Sequence, residues 1–66
     1  MGTHSPTPAA VKAARLAAGL TQEQAGATIG RARRAWQDWE LGNRRMPAGL
    51  FELFNLKQQR KPDENR

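Results

Sequence analysis

Apolar residues recur along the chain at helical rather than strand spacing, in segments separated by glycine-bearing breaks. Val11, Ala14 and Ala18 fall at i, i+3 and i+7 of a first helix. It opens with Thr7 as N-cap and Pro8 at the first helical position, where a missing N–H costs least, and stops at Gly19. Lys12 points away from this narrow face and Arg15 borders it. A second helix starts at Thr21, where T-Q-E-Q matches a capping box in which Thr and the Gln three residues on satisfy each other's backbone N–H, and ends at Gly30. A third spans about 32–41 before Gly42 and Asn43, residues that tolerate the left-handed conformation. Its spacing predicts Ala32, Ala35, Trp36 and Trp39 toward the core and Arg33, Arg34, Gln37, Asp38 and Leu41 on the opposite stripe. Pro47 opens a fourth helix reaching Lys57, with Leu50, Leu53 and Phe54 sealing the core and Phe51 and Leu56 off that stripe.

The connections between the first three helices, through Gly19–Leu20 and through Gly30, Arg31 and Ala32, leave room only for tight corners. Residues 1–6 and 58–66 cannot bury a face and read as flexible tails, so the folded unit is expected over 7–57. The fold class expected is all-α, a four-helix domain with room for one short extra turn.

Composition narrows this further. A chain of 66 residues is one domain with one small core and little space for a deep catalytic cleft. Hydrophobic residues make up 38%, and 11 of them are Ala, which favours helix over sheet. With no Cys, neither a disulfide nor a thiolate zinc site can staple the fold. His4 is the only His, so a metal site has nothing to build on, and no nucleophile accompanies a base; neither enzyme activity nor a cofactor nor a small-molecule ligand is expected. The start MGTHSP lacks the basic-then-apolar order of a secretory signal, and no apolar run approaches the roughly 18 residues of a membrane span; a soluble cytoplasmic protein is expected.

Lys+Arg number 11 against 6 Asp+Glu, a net charge of +5 that points to a polyanionic partner. Arg31, Arg33, Arg34, Arg44 and Arg45 lie within one short stretch, opposed there only by Asp38 and Glu40. The C-terminal Arg60, Lys61 and Arg66 are interrupted by Asp63 and Glu64 and read as a solvated tail.

Two short helices joined by a tight turn, the second turning Arg, Arg and Gln outward, form a helix-turn-helix pattern. Arg can bond guanine O6 and N7 bidentately and Gln can do the same with adenine N6 and N7, so Arg33, Arg34 and Gln37 are candidates for base contact. The starts of the second and third helices add backbone N–H donors for phosphates. Asp38 stays open between pairing with Arg34 and accepting from a cytosine amino group.

Residues 20–47, L-T-Q-E-Q-A-G-A-T-I-G-R-A-R-R-A-W-Q-D-W-E-L-G-N-R-R-M-P, resemble the lambdoid phage repressor and Cro family (Xre-type) of helix-turn-helix proteins in the start L-T-Q, the turn Gly and E-x-G-x-x-x-x-P. With R-L-A-A-G-L upstream, the resemblance covers about residues 11–56. It implies a third helix in the major groove of double-stranded DNA, with Arg33, Arg34 and Gln37 at the bases. It also implies phosphate contacts from Gln22 and from Arg44 and Arg45, and a buried ion pair between Arg15 and Glu40. Where the family has larger residues, Ala25 and Gly26 stand here, and Trp36 and Trp39 replace smaller aliphatics. This suggests that the indoles fill what Ala25 and Gly26 vacate. Arg31 and Ala32 replace a usual apolar residue and a usual capping hydroxyl, which leaves open a one-residue shift of the third helix that would add Arg31 to the DNA-facing, phosphate-contacting set.

The function implied is a sequence-specific transcriptional repressor that autoregulates an operon of a phage or other mobile element, including the anti-CRISPR-associated kind, by occupying a palindromic operator. A homodimer built on Phe51 and Leu56 would bind half-sites about 34 Å apart and exclude polymerase sterically, since 66 residues hold no effector domain. The alternative is a protein-interaction module, antitoxin-like or an adaptor, whose Phe51 patch binds another chain.

Overall fold

The computed structural model describes residues 5–59, and four α-helices with no strand make up the regular structure among them. They are α1 (Pro8–Ala17), α2 (Gln22–Thr28), α3 (Arg33–Leu41) and α4 (Ala48–Gln59). The starts of α1 and α2 are written in local chemistry. Thr7 is extended and its Oγ1 accepts from the Ala10 N–H at 3.1 Å, with Pro8 next in line. Thr21 Oγ1 accepts from the Gln24 N–H at 3.1 Å, while Gln24 Oε1 accepts from the Thr21 N–H at 3.0 Å, closing the capping box on both sides. Gly30 and Gly42 lie at φ +71° and +84°, a region that side chains resist, and they end the second and third helices.

Two starts differ from expectation by one residue. Ala32 is extended and exposed and serves as the N-cap of α3, with no side-chain cap, so it does not face the core. Pro47 stands just outside α4 and lends its carbonyl to the Leu50 and Phe51 N–H groups at 3.0 and 3.2 Å. The far end of α4 also runs past Lys57, because Gln58 and Gln59 are good helix formers and extend the last turn without having to bury a face. Ser5 and Pro6 are half-buried rather than free. The rest of the expected tails, with His4, Arg60, Lys61 and Arg66, lies outside the described residues.

Val11, Ala25, Ile29, Trp36, Trp39, Met46 and Phe54 form the core. The Trp36 ring centre is 4.9 Å from Phe54 and 5.6 Å from Trp39, both tilted off parallel, which is how aromatic quadrupoles prefer to meet. Helix α3 packs on α1 and α2, and α2 also touches α4, so the helix that carries both indoles is central. Ala25 shares the indole cluster, as volume exchange requires, but Gly26 is small for another reason. A Cβ there would stand 2.6 Å from the Arg31 carbonyl oxygen and 3.1 Å from that of Ala32. Backbone, not an indole, fills the space beside Gly26.

The phase of α4 also corrects the sequence reading. Leu50, Phe51 and Phe54 turn inward at i, i+1 and i+4, whereas Leu53 is 39% exposed and Leu56 49%. Phe51 and Leu53 thus exchange their expected roles. Apolar residues on both sides of the helix leave its rotation to the packing partner.

Candidate nucleic-acid interface

The inner side of α3 is anchored by one carboxylate. Arg15 Nε donates to Glu40 Oε2 and Arg15 Nη2 to Glu40 Oε1 at 3.1 Å, forming a fork-to-carboxylate pair between α1 and α3. Trp36 Nε1 donates to Oε2 at 2.7 Å and Gln22 Nε2 to Oε1 at 3.1 Å, while Arg15 Nη1 reaches the Leu20 carbonyl at 3.0 Å. Both charged side chains are nearly enclosed, 13% exposed for Arg15 and 7% for Glu40. Burial pushes the Glu40 carboxyl up, but donation from Arg15, Trp36 and Gln22 outweighs it and holds the group below its ordinary value. The hydrogen bond to Glu40 raises the Arg15 guanidinium, against the opposing effect of burial.

Gln22 is held in this network: one N–H of its amide donates to Glu40, because the first turn of α2 lies beside that carboxylate, and the amide's second N–H remains for another acceptor. The sequence pattern predicts neither Trp36 nor Gln22 as a partner of Glu40. Trp36 stands one helical turn before Glu40, a spacing that offers a local signal, whereas the Gln22 contact is purely tertiary.

The outer side is basic. Arg33 and Arg34 are exposed in the first turn of α3, Gln37 and Asp38 are half-buried one turn on, and Leu41 is 64% exposed at the far end. Arg31 is exposed in the turn before α3, and Arg44 and Arg45 in the loop after it. Among the described residues the one ion pair is Arg15–Glu40, so none of these five guanidinium groups is salt-bridged there, and Asp38 does not pair with Arg34. With Ala32 unable to cap, the first N–H groups of α3 lack a side-chain acceptor at the end where the helix dipole favours anions.

Arg33, Arg34, Gln37, Arg31, Arg44 and Arg45 thus bracket one helix. Leu56 is exposed on α4 and Phe51 is half-buried against the core. Among the described residues no cluster of His, Cys, Asp or Glu could hold a metal, and no helix is long and apolar enough to cross a membrane. No family model matches the chain, and no curated protein matches it.

Proposed function

We propose that this chain is a sequence-specific double-stranded DNA-binding protein of the repressor and Cro type, acting as a homodimeric repressor by occupying its operator. The observation that carries the reading is the two-sided character of α3. Its inner face is fixed by Glu40, Trp36 and Trp39, and its first turn offers Arg33, Arg34 and an uncapped N-terminus to solvent. A short helix held in this way can enter a major groove, with Arg33 and Arg34 bonding guanine edges and Gln37 an adenine edge. Arg31, Arg44 and Arg45 flank it as phosphate contacts, and the exposed Leu53 and Leu56 of α4 are the surface on which a second copy would seat. The resemblance to phage repressors extends the proposal to autoregulation within a mobile element.

The test is fluorescence anisotropy with a duplex from the chain's own upstream region beside a scrambled duplex, at two salt concentrations. Binding about a thousandfold tighter to the native duplex, with a salt slope of several phosphates, is expected. Arg34→Glu should abolish that preference while leaving the circular dichroism unchanged. Equal, weak, salt-sensitive binding to both duplexes would count against the proposal.

The exposure of Leu53 and Leu56 also favours a second reading, a module that binds another protein chain. On that reading Leu56→Ser abolishes partner binding and Arg34→Glu changes nothing.

A further inference from the structure

Asp38 is the charged residue on the outer side of α3 to which the DNA-binding reading gives no role. Arg34, Asp38 and Leu41 follow one another at i, i+4 and i+7, on the side of the helix opposite Trp36. Arg34 and Leu41 are exposed and Asp38 is half-buried. The Asp38 carboxylate enters no ion pair and no side-chain hydrogen bond among the described residues. Its backbone, by contrast, is firmly placed. The Asp38 carbonyl accepts from the N–H groups of Gly42, of Asn43 at 3.0 Å and of Arg44 at 3.3 Å, so the end of α3 closes on this residue. A side chain shorter than the arginines around it also loses less freedom on making a contact.

Electrostatics makes the presence of this carboxylate informative. Set among Arg31, Arg33, Arg34, Arg44 and Arg45, it repels phosphate and so weakens a surface that only has to attract a polyanion. What a carboxylate can do is discriminate. When ionised it only accepts, so a contact that buries it against another acceptor is costly. In the major groove guanine presents two acceptors, and thymine an acceptor and a methyl group. Adenine sets its N7 acceptor beside its amino group, whereas cytosine presents an amino group alone. An acidic side chain on this face is therefore matched to cytosine and mismatched to the other three bases.

We propose that Asp38 is a specificity-determining residue that accepts from the N4 amino group of a cytosine and penalises any duplex that offers an acceptor in its place. The inference rests on the DNA-binding reading and adds a division of labour to it. The arginines attract and hold the duplex, and Asp38 rejects wrong sequences.

The experiment is competition anisotropy with the full chain and a panel of duplexes in which each base pair of the upstream duplex is replaced in turn. One C·G pair in each half-site is expected at which every replacement weakens wild-type binding about ten- to a hundredfold. At that pair Asp38→Asn should prefer A·T, because an amide bonds adenine N6 and N7 together, and Asp38→Ala should show no preference. Asp38→Ala should also bind the scrambled duplex more tightly than the wild type does, since a charge that repels phosphate is gone. Replacing the cytosine by 2-pyrimidinone, which lacks only the 4-amino group, should cost the wild type about tenfold and Asp38→Ala nothing. Identical base preferences in all three chains, or equal tightening of both variants on native and scrambled duplexes, overturn the contact and leave the DNA reading standing. If circular dichroism shows that the variants do not fold, the wild type and the 2-pyrimidinone duplexes decide: loss at one cytosine of each half-site and not at the others supports the contact, and any other pattern overturns it. A wild-type chain with no preference for the native duplex overturns the DNA reading and the contact with it.

Discussion

Replacing Glu40 by Gln keeps the side chain's shape and removes its charge, and the structure says what that costs. Four donors converge on the two carboxylate oxygens, two from Arg15 and one each from Trp36 and Gln22. An amide has one accepting oxygen, and its NH2 group would confront donors it cannot bond. Arg15, 13% exposed, would keep its charge with no counter-ion. Breaking such a pair from one side costs about 3–5 kcal/mol when it is fully buried. The open edge at Arg15 and the surviving amide oxygen place this one at the low end, about 3 kcal/mol. For a chain of this size, at about 0.05–0.15 kcal/mol per residue, the whole stability is only about 3–10 kcal/mol. Glu40→Gln should therefore lower the melting temperature by more than about 10 °C, since each kcal/mol is worth about 4–8 °C in so small a domain. Urea unfolding followed by tryptophan fluorescence and far-UV circular dichroism measures it, with the exposed Glu52→Gln as a control expected to stay within about 0.5 kcal/mol. A cycle with Arg15→Met and Glu40→Met should show coupling above about 1 kcal/mol. If Glu40→Gln matched the control, or the coupling were near zero, the carboxylate would not be what fixes α3.

The depressed Glu40 carboxyl also makes stability depend on acid: its contribution is complete above the unfolded value of 4.5 and disappears as pH falls through the lower folded value. A urea series in that range should lose this component in Glu40→Gln and keep it in Glu52→Gln. Ala32→Ser should stabilise by about 0.5–1 kcal/mol, measured by the same unfolding, because the N-cap of α3 has the right extended backbone and lacks only an accepting side chain. Gly26→Ala should destabilise by about 1–3 kcal/mol, since its Cβ would meet a carbonyl oxygen at 2.6 Å. Because the atoms displaced belong to the turn before α3, any DNA affinity of this variant should fall further than its stability does.

Helix ends were legible where three or four consecutive residues settle them. Thr7 with Pro8, the T-Q-E-Q box, and Gly30 and Gly42 all act through bonds to near neighbours, and the structure uses each as its spacing suggests. The rotation of α4 was not legible, because Leu50, Phe51, Leu53, Phe54 and Leu56 wrap more than half the helix and the choice of inward face belongs to the elements it packs against. Gly26 shows the same limit in reverse. Its small size is visible in the chain, but the carbonyls pressed against it come from backbone, which no side-chain pattern reports. In the candidate site, the exposure of Arg33 and Arg34 followed directly from their position opposite Trp36 and Trp39. The amide of Gln22 had no such guide, since it can reach either solvent or Glu40 from the first turn of α2.

The division of α3 into an anchored side and an open one bears on how such a chain can diversify. Trp36, Trp39 and Glu40 hold the neighbouring helices, and they share no atoms with the side chains of Arg33 and Arg34. Substitutions on the open side change what the helix can touch at almost no cost to what it holds, so a drifting lineage could sample new surfaces there while its scaffold stays under unbroken selection. The same separation makes this face a natural place to transplant residues by design, with the buried trio left untouched.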